Sequence, residues 1–597
     1  MNGAQTIIKA LEAHGTKTIF GYPGGCIMPL YDALIDSSLE HILCRHEQAA
    51  ALAADGFARA SGKLGVCVAT SGPGATNLVT GVANAFMDSI PLLVITGQVP
   101  AALIGTDAFQ ETDILGMTLG IVKHSYLVES ADELPDIMEQ AIALATSGRP
   151  GPVWIDIPKD VLLQTLAESI LPAQNSSTQA PARSEKIGSI ETAIAMIAAA
   201  KKPLIYSGGG VIAADAIDAF RDFADRLQIP QVVTLKGIGN PGKDHRLNMG
   251  MLGMHGSRAA NEAVNDCDLL IAIAIAIAIA IAIAIAIAIA IAIAIAIAIA
   301  IGARFDDRAT GKATTFAPNA RIIHIDIDQS EFNKVKRVDC SLHGDMIPLL
   351  QQLQSSFGTT LPIEDWRQHC RRIKQLKGFI PAPDADEQAP IDGPEFLDLL
   401  SKLSSRDTII ACDVGQHQMW VAQYVDFDHP RQHLSSGGLG TMGFGLPAAM
   451  GAQFAQPEAK VINISGDGSF MMNLQEMATI MRYNLPVKIV ILDNQRLGMV
   501  RQQQELFYGQ RYSEIDMSDN PEFTNIASAF GLHSLKIEQR HQMRRGIETL
   551  LAYQGPMLLH VCIESNTNVW PIVKPGAGNH EMIEPTSTNP GHSAAFN

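Results

Sequence analysis

The sequence predicts an α/β protein of three domains, each a largely parallel, doubly wound sheet. Three observations lead there. Residues 1 to about 165 alternate helical patterns with short apolar runs at 18–20, 41–45, 64–69 and 91–96. The alternation returns from about 186 to 350, with runs at 203–207, 231–235 and 321–328. Residues 461–494 then read as strand, Gly-rich turn, helix and strand, a crossover unit whose two strands are parallel. The expected domains are 1–170, 186–350 (the central, nucleotide-binding-like one) and 390–570, with a tail at 571–597.

At 597 residues the chain is long enough for several cores, and 47% apolar with 18% charged residues fits a globular protein. A formal charge of −17 argues against non-specific nucleic-acid binding, so no nucleic-acid partner is expected. The eight cysteines form no C-x-x-C pair, so neither a disulfide framework nor a zinc knuckle is signalled, and a reducing cytoplasm is the simpler setting. The first residues carry no basic and apolar leader pattern.

In the first domain three strand ends carry unusual chemistry: Tyr22-Pro23-Gly24-Gly25, Arg45-His46-Glu47, and 70–77 with Pro73 and Asn77. All should lie along the carboxyl edge of the sheet, where such folds bind ligands. Glu47, read here as a loop residue, would by itself be an ordinary solvated charge. A Pro/Ser-rich linker follows at 171–185.

In the central domain Gly208-Gly209-Gly210 follows a strand and either cradles a nucleotide or makes a tight turn. Residues 271–301 alternate Ile and Ala without a break. Length and apolarity alone would suggest a membrane span, but the segment sits within an expected strand, so no membrane role is expected. It reads as the expansion of a short I-A-I strand, and as an aggregation hazard. A second linker lies within 355–393.

The third domain carries the clearest chemistry. A helix is expected to start at Asn473, with Glu476 three residues on, and to stop at Leu485-Pro486. Asp467 and Asn494 then leave the carboxyl ends of parallel strands and can face one site. A carboxylate and an amide oxygen are hard ligands suited to Mg²⁺, and Gly466 and Gly468 let backbone N–H groups approach a phosphate.

Gly466-Asp467-Gly468 with Asp493-Asn494 resembles the signature of thiamine-diphosphate enzymes. The order Y-P-G-G, R-H-E-Q, T-S-G-P-G-A-T-N, I-G-T-D-A-F-Q-E, then R-F-D-D-R at 304–308 and M-G-F-G-L-P from Met442, closely resembles the acetohydroxyacid (acetolactate) synthase catalytic subunits, nearly to the C-terminus. The resemblance implies decarboxylation of pyruvate and condensation of the two-carbon unit with a second 2-keto acid, pyruvate or 2-ketobutyrate. That is the first common step of branched-chain amino-acid biosynthesis.

It also implies the cofactors thiamine diphosphate, Mg²⁺ and a structural, non-redox FAD. Glu47 becomes the carboxyl group that hydrogen-bonds the aminopyrimidine, with Tyr22, Pro23, Gly24, Gly25, Pro73, Asn77 and Gln110 around it. Val414, Gly415, Gln416, His417, Gly440, Asp467, Gly468, Ser469, Asn494, Gly498 and Met499 take the diphosphate side. Asp467, Asn494 and the Arg496 carbonyl hold the metal, and Met442 props the cofactor, although a Met among glycines also reads as core filling.

For FAD the resemblance implies Arg149, Gly208, Gly209, Gly210, Thr234, Leu235, Met251, Leu252, His255, Gly302, Arg304, Arg308, Asp326 and Asp345. For substrate it implies Phe109, Lys159 at the entrance, Arg304 on the second acid's carboxylate, Met499 and Gln503. Phe109 reads equally as core packing, and Arg304 as an ion pair with Asp306 or Asp307. Gln503 departs from the family's usual Trp, so a weaker preference for 2-ketobutyrate is expected.

A homodimer or homotetramer with active sites between subunits is implied, together with a possible small regulatory subunit. The rival readings are a pyruvate oxidase or decarboxylase with the same clamp, or a non-catalytic assembly protein.

Overall fold

The computed structural model describes residues 1–166, 189–273, 307–377 and 387–585. They form three six-stranded sheets, and every neighbouring pair of strands within them is parallel.

The first sheet contains β1 (Thr18–Gly21), β2 (Glu40–Leu43), β3 (Gly65–Ala69), β4 (Leu92–Gln98), β5 (His124–Leu127) and β6 (Pro152–Pro158), in the order β2-β1-β3-β4-β6-β5. The central sheet contains β7 (Pro203–Ser207), β8 (Gln231–Val233), β9 (Asn248–Met251), β10 (Leu269–Ile273), β11 (Arg321–Asp326) and β12 (Cys340–His343), in the order β12-β11-β10-β7-β8-β9. The third contains β13 (Ile409–Cys412), β14 (His433–Ser435), β15 (Val461–Gly466), β16 (Lys488–Asp493), β17 (His533–Ile537) and β18 (Met557–Cys562), in the order β14-β13-β15-β16-β18-β17.

The first and third sheets therefore share one topology. The central sheet, counted from its own first strand, runs 3-2-1-4-5-6, the order of dinucleotide-binding folds.

Several expected elements shift. The run at 41–45 ends at Leu43, which frees Arg45-His46-Glu47 to turn. The run at 231–235 ends at Val233, because the Thr234 side chain accepts a 3.1 Å bond from the Gly237 N–H and starts a 3₁₀ turn. The run at 321–328 ends at Asp326, whose carboxylate accepts from the Asp328 N–H at 2.8 Å.

The second linker is also shorter than expected, since Glu364–Lys377 is a helix. Trp366, Cys370 and Ile373 recur at helical spacing and pack on the central core, and the Trp366 indole donates to the Pro203 carbonyl at 2.8 Å. Of the Ile/Ala run, Ile271–Ile273 completes β10 in register with β7 and β11. Residues 274–301 and the linker at 171–185 lie outside the described residues.

The first and third units share a core in which the Ala-rich helix Glu47–Ser61 crosses the helix Gly445–Ala455. The approach is too close for larger residues: a Cβ on Gly451 would lie 1.8 Å from the Ala53 carbonyl oxygen, and one on Gly56 2.4 Å from that of Ala448. The tail packs on the central unit, with the Val573 N–H donating to the Met254 carbonyl at 2.9 Å and the Asn579 amide to that of Ala309 at 2.8 Å.

Candidate active site

β15 passes directly into the short helix Asp467–Phe470, so Asp467 is its first residue. The expected helix start at Asn473 stands as the N-cap position of a 3₁₀ turn, but the helix ends at Arg482, short of the expected stop at Leu485-Pro486. Ser469 Oγ lies 3.2 Å from the Gly466 N–H and closes a turn within G-D-G-S itself. The Asn473 side chain caps nothing but donates to the Gly443 carbonyl at 2.7 Å, and a 3₁₀ turn over Leu474–Glu476 leads into the helix Met477–Arg482.

Asp467 is 1% exposed, and burial first and the neighbouring Asp493 second push its carboxyl up to about 7. Asn520 Nδ2 donates to it at 3.2 Å. Asn494 Oδ1 accepts from the Arg496 N–H at 3.1 Å, and Asn494 Nδ2 donates to Gln416 Oε1 at 3.3 Å, which fixes the amide. Arg496 is held in turn by an ion pair with Asp516.

The backbone is drawn in tightly around this point. A Cβ on Gly498 would lie 2.1 Å from Gln416 Oε1, and one on Gly468 2.8 Å from Leu497. His417 Nε2 accepts from the Gly466 N–H at 3.2 Å, and burial lowers its imidazole to about 3, so it is neutral. A hard dication fits this donor set of a buried carboxylate and a fixed amide oxygen.

These residues open on a cavity of about 970 Å³. Val414, Gly415, Gln416 and His417 line it, with Gly440 and Met442, then Asp467, Gly468, Ser469 and Asn494, then Arg496, Gly498, Met499 and Gln503. The facing wall comes from the central unit and includes Gly209, Thr234, Leu235, Met251, Leu252, His255 and Arg308. His255 Nδ1 is buried with no hydrogen-bond partner among the described residues, and burial lowers the ring to about 4. An unanswered polar atom on that wall fits a bound polar group there.

Not every residue expected at the central wall reaches the cavity. Gly208 and Gly210 flank Gly209 but do not line it. Arg149 donates to Ser89 Oγ at 3.1 Å and faces Asp328 at 3.9 Å. Asp326 is buried beside His324, and Asp345 precedes the helix Met346–Ser355. Gly302 and Arg304 lie outside the described residues.

The Glu47 group assembles elsewhere. Glu47 is not a loop residue: it opens the helix Glu47–Ser61, because His46 Nδ1 accepts from the Gln48 N–H at 3.1 Å and caps it. Its Oε2 accepts from Asn77 Nδ2 at 3.0 Å. Gly74 lies against it, and Gly72, at φ 56°, packs on the backbone of Gln110. Gly24 abuts Thr70, whose hydroxyl accepts from the Cys26 N–H at 3.1 Å.

The ends of β1, β2 and β3 are thus brought together, with Tyr22, Pro23, Gly25 and Pro73 exposed and Lys159 further along the same edge after β6. None of this group lines the cavity of Asp467. Phe109 is 87% exposed, which removes the core-packing reading.

Two positioning groups escaped the sequence reading. Asp413 accepts from the Val414 N–H at 2.8 Å and the Gly443 N–H at 2.9 Å, which ties two cavity loops together. Asp88 joins all three units: it pairs with Arg59 at 2.9 Å and Lys236 at 3.2 Å, and accepts from the N–H groups of Gly437 and Gly438 at 3.0 and 2.8 Å. In sequence it is one acid near a helix end, with nothing to point to partners so far along the chain.

Comparison with known proteins finds similarity along nearly the whole chain. Three family models match: the N-terminal TPP-binding domain of thiamine pyrophosphate enzymes over residues 1–117, their central domain over 190–279 and 291–353, and their C-terminal TPP-binding domain over 413–561. The chain is 50% identical to the acetolactate synthase isozyme 2 large subunit of Escherichia coli K12, covering 98% of this chain and 100% of that one. It is 45% identical to a probable acetolactate synthase large subunit of Methanocaldococcus jannaschii, over 99% and 96% of the two chains. It is also 45% identical to the isozyme 1 large subunit of E. coli K12, over 97% of each.

Proposed function

This chain belongs to the family of acetolactate synthase large subunits, and from that premise we propose that it decarboxylates pyruvate and joins the two-carbon unit to pyruvate or 2-ketobutyrate. The products are 2-acetolactate and 2-aceto-2-hydroxybutyrate. The observation that carries the reading is the convergence of Asp467 and Asn494, one residue past two adjacent parallel strands, on a glycine-lined cavity.

When bound, thiamine diphosphate supplies the acidic carbon and electron sink that a 2-keto acid needs to lose CO₂. The Asp467 carboxylate, the Asn494 amide oxygen and the Arg496 carbonyl would hold Mg²⁺, and the cavity space lined by Gly468 and Gly498 would take the diphosphate. Met442 flanks that space. Glu47, fixed by Asn77, would hold a proton on its carboxyl group against the aminopyrimidine. Met499 and Gln503 line the same cavity and would border the substrate there. The central wall, from Gly209 and Thr234 to His255 and Arg308, would hold FAD.

Glu47 and Asp467 do not share a cavity within one chain. The Glu47 edge also exposes Tyr22 at 40% and Phe109 at 87%, together with Leu119 at 76%. These facts support a site completed by a second copy of the chain, in a homodimer or homotetramer. A small regulatory subunit accords with the relatives' title of large subunit. No helix among the described residues is long and apolar enough to cross a membrane, and a cytoplasmic setting accords with that.

The test is an omission series. The purified chain with pyruvate, thiamine diphosphate, Mg²⁺ and FAD should form acetolactate, and leaving out thiamine diphosphate or Mg²⁺ should abolish it. Acetaldehyde or acetate as the main product would assign the chain to the decarboxylases or oxidases instead.

A further inference from the structure

The segment from Asp467 to Arg482 serves two places at once. It begins at the proposed metal ligand, and nine residues on it reaches Glu476, which is 0% exposed and packed against the first unit rather than the cavity. Glu476 Oε1 accepts from the Arg45 N–H at 2.9 Å, and the His46 N–H also bonds to the carboxylate. Its Oε2 accepts from Thr479 Oγ1 at 2.7 Å.

Around it, the Tyr483 hydroxyl accepts from the Leu43 N–H at 2.9 Å and donates to the His41 carbonyl at 3.2 Å, while Thr479 Oγ1 lies 3.4 Å from the Leu43 carbonyl. These contacts take over from the sheet where β2 stops at Leu43. Without them the turn from β2 into the Glu47 helix would carry half-buried, unanswered N–H groups.

We infer that Glu476 is a positioning residue for Glu47: its buried carboxylate holds the Arg45-His46 backbone and so sets where the Glu47 side chain leaves its helix. The inference rests on the reading of Glu47 as the aminopyrimidine partner. It also links two sites, because in a dimer with shared sites the segment that begins at one site's metal ligand ends by bracing the carboxyl group of the other. Neither Arg45 nor His46 carries a sequence signal for such a brace, and Glu476 read there only as part of a helix start.

The test uses the full chain and two variants. In Glu476→Ala both N–H groups lose their acceptor; Glu476→Gln keeps the shape and one acceptor oxygen, and covers the case in which the first variant does not fold. In cofactor-free protein, amide hydrogen exchange should speed up selectively in a peptide spanning 43–48, while the β4 peptide 92–98 is unchanged. In the complete enzyme kcat should fall by roughly 10- to 100-fold, the scale of a misplaced catalytic group, with KM for pyruvate within about twofold.

The decisive readout is non-additivity. In a Glu47→Gln background, removing Glu476 should cost almost nothing more, because both changes act through one group. Unchanged exchange at 43–48, or losses that multiply in the double variant, would overturn the inference. Full activity in Glu47→Gln alone would instead overturn the reading of Glu47 on which it rests.

Discussion

Asp467 and Asn494 each follow the last residue of neighbouring parallel strands, and the register pairing Gly466 with Leu492 leaves them one residue out of step along the sheet edge. With that offset one carboxylate and one amide oxygen would address a single ion, as the proposed function requires. It also sets Asp493 beside Asp467, and His560 answers the resulting crowd of charge. His560 Nε2 lies 2.8 Å from Asp493 and Nδ1 3.0 Å from Glu522; burial opposes its charge, yet the bond to Asp493 helps raise the ring to about 10, so it is cationic.

Metal binding should be pH-dependent. Burial and the neighbouring Asp493 push the Asp467 carboxyl up to about 7, and a cation binds only the ionised form. A falling pH therefore adds the cost of displacing a proton. Mg²⁺ affinity at pH 6 should be about tenfold weaker than at pH 8, measured by calorimetry against Asp467→Asn, which should bind weakly and lack that increment. Equal affinity at both pH values in the unaltered protein would contradict the assignment.

Glu47→Gln should cut acetolactate formation by roughly 10²- to 10⁴-fold, the range of a lost acid–base group. Mg²⁺ and diphosphate binding should persist, since Glu47 does not line the cavity of Asp467 and Asn494. Mixing this variant with Asp467→Ala and allowing subunits to exchange should restore activity, because mixed dimers regain one intact site. Recovery that never appears although mixed dimers form would place both halves in one chain.

Gln503 lines the cavity beside Met499. Its amide offers less apolar contact to the extra methyl of 2-ketobutyrate than an indole does, and a single methylene in an apolar pocket shifts selectivity by about tenfold or more. Gln503→Trp should therefore raise the ratio of 2-aceto-2-hydroxybutyrate to acetolactate in a competition assay. An unchanged ratio would remove Gln503 from specificity.

Gly451→Ala tests the helix crossing behind Glu47. With a Cβ 1.8 Å from the Ala53 oxygen, the two helices must separate, at a cost of about 1–3 kcal/mol or more. The denaturation midpoint should fall, and activity with it, since the displaced helix carries Glu47. An unaltered midpoint would mean that the crossing relaxes freely.

Much of this was legible in sequence because motif and strand end coincide. Short β-branched runs ended at Gly466 and Asp493, and parallel pairing then brought Asp467 to Asn494. Glu47 was found through its neighbours Arg45 and His46, but its place on a helix was not, because the cap is a histidine ring rather than a usual capping residue. The helix Glu364–Lys377 was hidden by its charge, which surrounds the apolar positions Trp366, Cys370 and Ile373. Asp88 and Glu476 were illegible for another reason: each answers backbone N–H groups hundreds of residues away, and a single sequence carries no trace of that pairing.

The most direct measurement of carboligation is a ¹³C NMR time course with [2-¹³C]pyruvate, thiamine diphosphate, Mg²⁺ and FAD. Acetolactate made by this chain joins two labelled carbons, so both product signals should be split by their shared bond. Unsplit signals of acetaldehyde or acetate would show that the chain removes CO₂ without forming the carbon–carbon bond, and would contradict the assignment.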